Sequence, residues 1–354
     1  MKKWNVGWGF TKLCNFTCAH CYNSSGVRSP EELNLEQAKA VVDKLAENNV
    51  ETINYGTGEC GLAAEFWELI QYVHSKGIIQ GLTTNGSSVN PHTIQWIKER
   101  MNDVDVSIDY PNFEEHNKFR KHPNAWKWAV NALDLLKASD VPFSIVTCLH
   151  AKNTDKDTIA DFLTLSKKYG CEWRINWFRP TGRGKDNEEL KLDPKDVFKV
   201  FSFIVQNADI KALPDPYFAA LLGLNQQKGC PCGKRSFRIT PNGAVVPCVY
   251  FTGEIKNCTI QDNSFQTVVR SAPFEDINNR KIPFCASCEY RKTCGGGCAS
   301  RAYLENGSLD APDAFCFKKA GLRENPFKNL AYDCVKEAPK VHDNYLCTAI
   351  FKAR

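Results

Sequence analysis

The sequence predicts an α/β protein built on a parallel sheet, followed by a cysteine-rich segment organised by metal. Three observations carry this. Six short strand-like runs alternate with amphipathic helical runs over the first half of the chain, as parallel strands joined by helical crossovers do. The length of 354 residues suits one barrel of about 200–250 residues plus a second module. Of the 17 cysteines, 11 lie between Cys230 and Cys347, where Gly and Pro also rise.

Taken in order, Trp4–Phe10 reads as the first strand. Asn34 and Gln37 form a capping box, after which Leu35, Ala38, Val42, Leu45 and Ala46 recur at helical spacing. Glu51–Tyr55 is the second strand and Leu62–Lys76 an amphipathic helix. Strands then fall at Ile78–Thr83, Val104–Asp109, Phe143–Leu149 and Trp173–Phe178, with helices near Pro91–Arg100, Ala125–Ala138 and Thr154–Tyr169. In such folds the site gathers at the carboxyl ends of the strands. Gly56–Gly61, Thr84-Asn85-Gly86, Asp109 and Arg179-Pro180 fall there, with the loop after strand one. The expected divisions are a barrel over 1–185, a helical linker over 186–227, a cysteine-rich domain over 228–320 and a tail over 321–354.

Composition narrows the function. Apolar residues are 43% and charged residues 24%, which excludes a disordered, collagen-like or coiled-coil chain. A net charge of +5 without a basic run gives no reason to expect nucleic acid. No run of 18 apolar residues predicts a membrane span, and Met1-Lys2-Lys3-Trp4-Asn5 lacks the apolar stretch of a signal peptide. A cytoplasmic protein is expected. There an odd number of cysteines argues against a disulfide scaffold and for metal binding.

Cys14, Cys18 and Cys21 are spaced by three and two residues. Structural zinc takes four ligands, and the nearest fourth, His20, adjoins Cys21 and would have to bend back. Three thiolates on one loop suit a [4Fe–4S] cluster with one iron left open. This loop, placed after a first strand, resembles the radical S-adenosylmethionine superfamily, and the resemblance extends over about residues 4–180. Thr57-Gly58-Glu59-Cys60 is similar to that family's Gly-Gly-Glu-Pro motif, with Cys in place of Pro. Thr83-Thr84-Asn85-Gly86 resembles its third-strand segment and Ser107-Ile108-Asp109 its ribose segment. Arg120 matches a position that holds the cofactor carboxylate. The resemblance implies a partial (β/α)6 TIM-like barrel. It also implies S-adenosylmethionine held by Tyr22, Gly58, Glu59, Thr84, Asn85, Ser107, Asp109 and Arg120.

Towards the carboxyl end, Cys232, Gly243-x4-Cys248, Cys285-x2-Cys288-x5-Cys294-x3-Cys298 and Cys316 resemble the SPASM module. That implies two auxiliary [4Fe–4S] clusters and so three in all. Cys285, Cys288, Cys294 and Cys316 would hold the outer one, and Cys232, Cys248 and Cys298 the inner one. Cys230 and Cys258 are candidates for the inner cluster's fourth ligand, and an open iron is a further alternative. By spacing alone, Cys285, Cys288, Cys294 and Cys298 equally suit a zinc ribbon.

Other residues read in two ways. Cys60 is either a hydrogen-atom donor beside the cofactor or a small core residue. Cys148 and Cys171 read as core, and Cys334 and Cys347 as redox thiols, a quenching donor or inert. Trp67, Trp96, Trp126, Trp128, Trp173 and Trp177 suit packing more than peptide binding. Arg179-Pro180-Thr-Gly-Arg183-Gly is either an anchor for acidic substrate groups or a solvated linker. The resemblance implies a maturase of ribosomally made precursor peptides, forming thioether or carbon–carbon crosslinks. Epimerisation, formylglycine formation and a non-catalytic iron–sulfur carrier are the alternatives. A ferredoxin or flavodoxin would supply electrons. With the first ligand at residue 14, the barrel, the carboxyl-terminal module or a separate leader-binding protein is expected to present the peptide.

Overall fold

A computed structural model describes residues 3–224, 229–251, 258–337, 340–344 and 348–354. Six parallel strands, β1 (Trp4–Trp8), β2 (Val50–Tyr55), β3 (Ile79–Thr84), β4 (Asp103–Ser107), β5 (Phe143–Leu149) and β6 (Glu172–Trp177), lie side by side in chain order. The helices between them are α1 (Leu35–Glu47), α2 (Ala64–Ser75), α3 (Ile94–Arg100), α4 (Phe113–Arg120), α5 (Ala125–Ala138) and α6 (Lys156–Tyr169). The α/β architecture read from the sequence is present.

Local chemistry fixes the boundaries. Asn34 accepts from the Gln37 amide and the Gln37 side chain accepts from the Asn34 amide, at 2.9 and 3.0 Å, so α1 starts on its capping box. Helix α2 starts two residues later than expected, because Cys60–Leu62 forms a separate 3₁₀ turn. Helix α3 starts at Ile94 and not Pro91, after a turn closed by Asn90. Helix α4 was not expected. Its charged sequence carries little apolar periodicity, and its amino end rests on Asn112, which accepts from the Glu115 amide at 3.0 Å.

Alternation along the strands separates two faces. Val6, Ile53, Leu82, Val104, Ile145 and Ile175, all buried, face the helices. On the same side Tyr55 meets Phe66 of α2 at 5.1 Å and Trp173 stacks on Phe162 of α6 at 5.1 Å. Burying each such side chain is worth about 1.5–3 kcal/mol. The opposite face is polar: Asn54, Thr83, Asp105, Ser107, Ser144 and Arg174 lie on it, and several of these line a cavity.

Beyond β6 come α7 (Pro194–Asn207), β7 (Ala208–Ala212) and α8 (Pro216–Leu221). The cysteine-rich segment opens with β8 (Ser236–Ile239), which pairs in parallel with β1, followed by the antiparallel β9 (Ala244–Val246) and β10 (Cys258–Thr259). The last strand, β11 (Ala349–Ala353), runs antiparallel between β6 and β7. Among the described residues the sheet therefore has 11 strands in the order β10-β9-β8-β1-β2-β3-β4-β5-β6-β11-β7. It runs without a break from the barrel into the cysteine-rich segment.

Candidate active site

The loop after β1 is pinned by its own backbone and by Glu32. Cys14 N donates to Gly26 O and Gly26 N to Lys12 O, both at 2.8 Å. Glu32 accepts from the Thr11 hydroxyl and the Lys12 amide, both at 2.7 Å. Phe16, in the middle of the loop, is buried and stacks on His122 at 4.7 Å and on Trp128 at 5.9 Å. So held, Cys14, Cys18 and Cys21 line one cavity at the carboxyl ends of the strands. The Phe16 amide donates to Cys14 Sγ and the Ser25 amide to Cys21 Sγ, each at 3.4 Å. Burial pushes the Cys14 thiol up to about 11 and the Cys18 thiol to about 12. Deprotonating them calls for a metal cation to balance the charge.

The strand ends complete that side. Gly58, at φ +67°, lies against the loop, and a Cβ there would sit 2.6 Å from Thr11 O, so only glycine lets the two segments meet. Glu59 does not line the cavity. Its buried carboxylate accepts from the hydroxyls of Thr84 and Ser88 and, at 2.7 Å, from the Asn85 amide. Burial raises its pKa. Gly58, Thr84, Asn85 and Ser107 do line it, and the Asn85 amide group donates to Asn15 Oδ1 at 2.9 Å. Asp109 and Arg120 pair at 2.7 Å with both side chains almost wholly buried. His20 Nε2 lies 3.6 Å from the same carboxylate, and its ring stacks on Phe119 at 4.8 Å. Burial lowers His20 to about 4, which keeps the imidazole neutral. The Tyr22 hydroxyl donates to Gly56 O at 2.8 Å.

Of the opposite wall, only Arg179 was expected, at the strand ends. Cys148, read as core, lines the cavity with Val146, Asn176, Trp177, Arg179, Arg238 and Tyr250. Its place follows from alternation on β5, where Ser144, Val146 and Cys148 share a face. Arg238, from β8, donates to the Tyr22 hydroxyl at 3.0 Å and also reaches Thr57. Tyr250 meets Tyr22 edge-on at 5.8 Å. The segment from Arg179 to Gly184 packs on the three-cysteine loop. Arg183 N donates to Cys21 O at 3.0 Å and its Nε to Cys18 O at 3.2 Å. Arg179 is 3% exposed, so it is neither a solvated linker nor at the surface. Cys60, 1% exposed with its thiol on Thr57 O at 3.4 Å, packs in the core and does not line the cavity. Of the tryptophans weighed as packing residues, Trp173 and Trp177 are fully buried and Trp96 is exposed.

The remaining cysteines gather in two sets. Cys230, Cys232, Cys248 and Cys298 are all buried and pack in one cluster with Val249, Phe251, Ile277 and Ala299. Cys258, on β10, packs instead against the larger core. Cys285, Cys288, Cys294 and Cys316 line a second, smaller cavity with Tyr217, Asp313 and Phe317. Among the described residues no three His, Cys, Asp or Glu side chains converge closely enough for a single metal ion. A cubic cluster takes its ligands at separate corners, so a shared cavity is what its cysteines require. The three thiols on one loop and the set of Cys285, Cys288, Cys294 and Cys316 meet that requirement, and Cys230, Cys232, Cys248 and Cys298 lie together as a packed buried set. Cys171 is core and Cys334 exposed, while Cys347 lies outside the described residues.

Comparison with known proteins agrees with this arrangement. Residues 8–163 match the radical SAM superfamily, and residues 230–289 match SPASM, an iron–sulfur cluster-binding domain. The chain is 30% identical to mycofactocin maturase MftC of Mycobacterium ulcerans, over 89% of this chain and 88% of that protein. It is 25% identical to an AdoMet-dependent heme synthase of Methanosarcina barkeri, over 90% and 97%. Streptococcus suis SuiB, in its complex with the precursor peptide SuiA, has the same fold. That likeness has a TM-score of 0.71 at 14% identity and covers 88% of this chain and 75% of that one. No described helix is long and apolar enough to cross a membrane. The chain is therefore an enzyme of the radical S-adenosylmethionine superfamily with a SPASM domain, and S-adenosylmethionine and iron–sulfur clusters are its cofactors.

Proposed function

We propose that this enzyme opens a carbon–hydrogen bond in a ribosomally made peptide and joins that carbon oxidatively to a neighbour, through a thioether or a carbon–carbon bond. The shared cavity carries the reading: the three-cysteine loop and residues of the cysteine-rich segment, Arg238 and Tyr250, face one space. A substrate there lies between a reducing site and an oxidising outlet. Cys14, Cys18 and Cys21 hold the first cluster, Cys230, Cys232, Cys248 and Cys298 the inner auxiliary one, and Cys285, Cys288, Cys294 and Cys316 the outer one. Once bound, the first cluster and S-adenosylmethionine supply a 5′-deoxyadenosyl radical that takes a hydrogen atom.

The protein's part is to position and enclose. Gly58 presents backbone to the cofactor, Asn85 and Ser107 offer polar groups beside it, and Tyr22 closes one edge. The Asp109–Arg120 pair supplies fixed charge without solvent. Glu59, with both oxygens engaged, acts by holding the glycine turn against Thr84 and Asn85. A ferredoxin or flavodoxin is the proposed electron source. The peptide reading is supported by the mycofactocin maturase likeness and by the precursor peptide in the SuiB complex.

One observation favours a second reading. Cys148 places a thiol on the cavity wall, where hydrogen return to a substrate radical would give epimerisation. A single assay separates the two. Reduced, fully loaded enzyme is incubated in heavy water with S-adenosylmethionine and a synthetic precursor peptide encoded near its gene. A product lighter by two hydrogens is the expected result. Deuterium uptake without loss of hydrogen would favour epimerisation. Cofactor cleavage that leaves every such peptide unmodified would overturn the peptide reading, as the heme synthase likeness would then suggest.

A further inference from the structure

Arg179, expected at the strand ends where the site gathers, also reaches a cysteine of the inner set. It follows β6, is 3% exposed, and lies on the wall of the reaction cavity. One guanidinium nitrogen donates to Trp177 O at 3.0 Å, and the other donates to the sulfur of Cys298 at 3.4 Å. The guanidinium lies over the ring of Tyr250, 4.3 Å from its centre. The same sulfur is 3.2 Å from the Ser300 hydroxyl. A permanent cation is thus fixed from three sides, between the cavity and one cysteine of the inner set.

We propose that Arg179 raises the reduction potential of the inner auxiliary cluster and so makes that cluster the electron acceptor for the substrate. This rests on the assignment of Cys230, Cys232, Cys248 and Cys298 as its ligands. In oxidative coupling a carbon radical attacks a neighbouring group, X–H. The C–X bond forms and the X–H bond breaks. The proton leaves to water and one electron goes to the oxidised inner cluster. That cluster gains one unit of negative charge, which a buried guanidinium at one of its sulfurs stabilises strongly in a medium of low dielectric. Hydrogen bonds to sulfur and local charge are the two protein levers on such potentials, and Arg179 supplies both. A second buried cation near Cys298, Arg301, is offset by two carboxylates. It is held between Asp215 at 2.6 Å and Asp313 at 2.7 Å.

The test is a redox titration of the full-length, anaerobically reconstituted enzyme, followed by electron paramagnetic resonance. Cys298→Ala identifies the inner-cluster signal as the one it removes. Arg179→Met is expected to change that signal's oxidised-to-reduced ratio at fixed potential at least tenfold towards oxidised, about 59 mV for a one-electron couple, with the outer signal unmoved. Arg179→Gln keeps an N–H donor but not the charge. It is expected to move the same way, and it serves if the Met variant fails to load iron. A change of less than twofold in either loaded variant overturns the proposal. If Cys298→Ala removes no signal, the fault lies in the ligand assignment instead.

Discussion

At Asp109 two effects oppose one another. Burial alone would raise its pKa, yet the charge of Arg120 beside it outweighs burial and holds it at about 2, against an ordinary 3.8. A carboxylate with a depressed folded value contributes fully above its unfolded pKa and loses that contribution as pH falls through the folded value. The window is therefore about pH 4 down to about 2, and the contribution is about 2 kcal/mol at neutral pH, at 1.36 kcal/mol per unit. Denaturant titration of the metal-free protein should show Asp109→Asn less stable by that order at pH 7, with a flatter decline below pH 4. An unchanged decline would mean that other carboxylates carry it. The cysteines make a second prediction. Cys18→Ala should abolish cleavage of S-adenosylmethionine to 5′-deoxyadenosine, while Cys288→Ala should leave at least part of it and stop product formation. Cys14, Cys18 and Cys21 are legible in the sequence because ligands on one short loop are a local pattern. The place of Cys148 is not, since it depends on which way a strand face turns, and the contact of Arg179 with Cys298 is not, since it depends on what a distant segment brings opposite.

Among the elements, the loops carry the consequence. The turn after β6 grips the three-cysteine loop so closely that Gly182, at φ +56°, would place a Cβ 2.6 Å from Tyr22 O. Both the backbone conformation and the contact exclude a side chain there. Gly182→Ala should displace the first cluster's loop and leave the other two cysteine sets alone. Iron analysis should then fall by about four per chain from about twelve, on a count of four per cubic cluster, with cofactor cleavage lost. A full iron content with normal cleavage would mean that the grip is incidental. The alternating strands and helices were readable because each carries its own periodicity, and the α1 capping box was readable to the residue. Helix α4 was not, because its charges conceal any apolar stripe, and its placement depends on the Asn112 cap and on packing against α5.

Across the whole molecule, the carboxyl-terminal segment ties the barrel together. His342 lies against the polar face, its Nδ1 3.0 Å from Asp103 and its Nε2 2.9 Å from Asn54 Oδ1. Asp105, beside it, pairs with Arg174, which lines the cavity. Removing one partner from such a buried network typically costs about 3–5 kcal/mol, so His342→Ala should lower stability by that order in denaturant unfolding. A loss below about 1 kcal/mol, the range of exposed pairs, would show the network to be dispensable. Nothing local in the sequence announced β11 or the reach of His342, because both depend on contacts across more than 100 residues. On the proposed function, three cysteine sets would hold three clusters. The most direct test is to reconstitute the protein without oxygen, count iron and sulfide, and add dithionite and S-adenosylmethionine. About twelve of each per chain, together with 5′-deoxyadenosine, is the predicted result. Zinc without sulfide, and no cleavage of the cofactor, would contradict it.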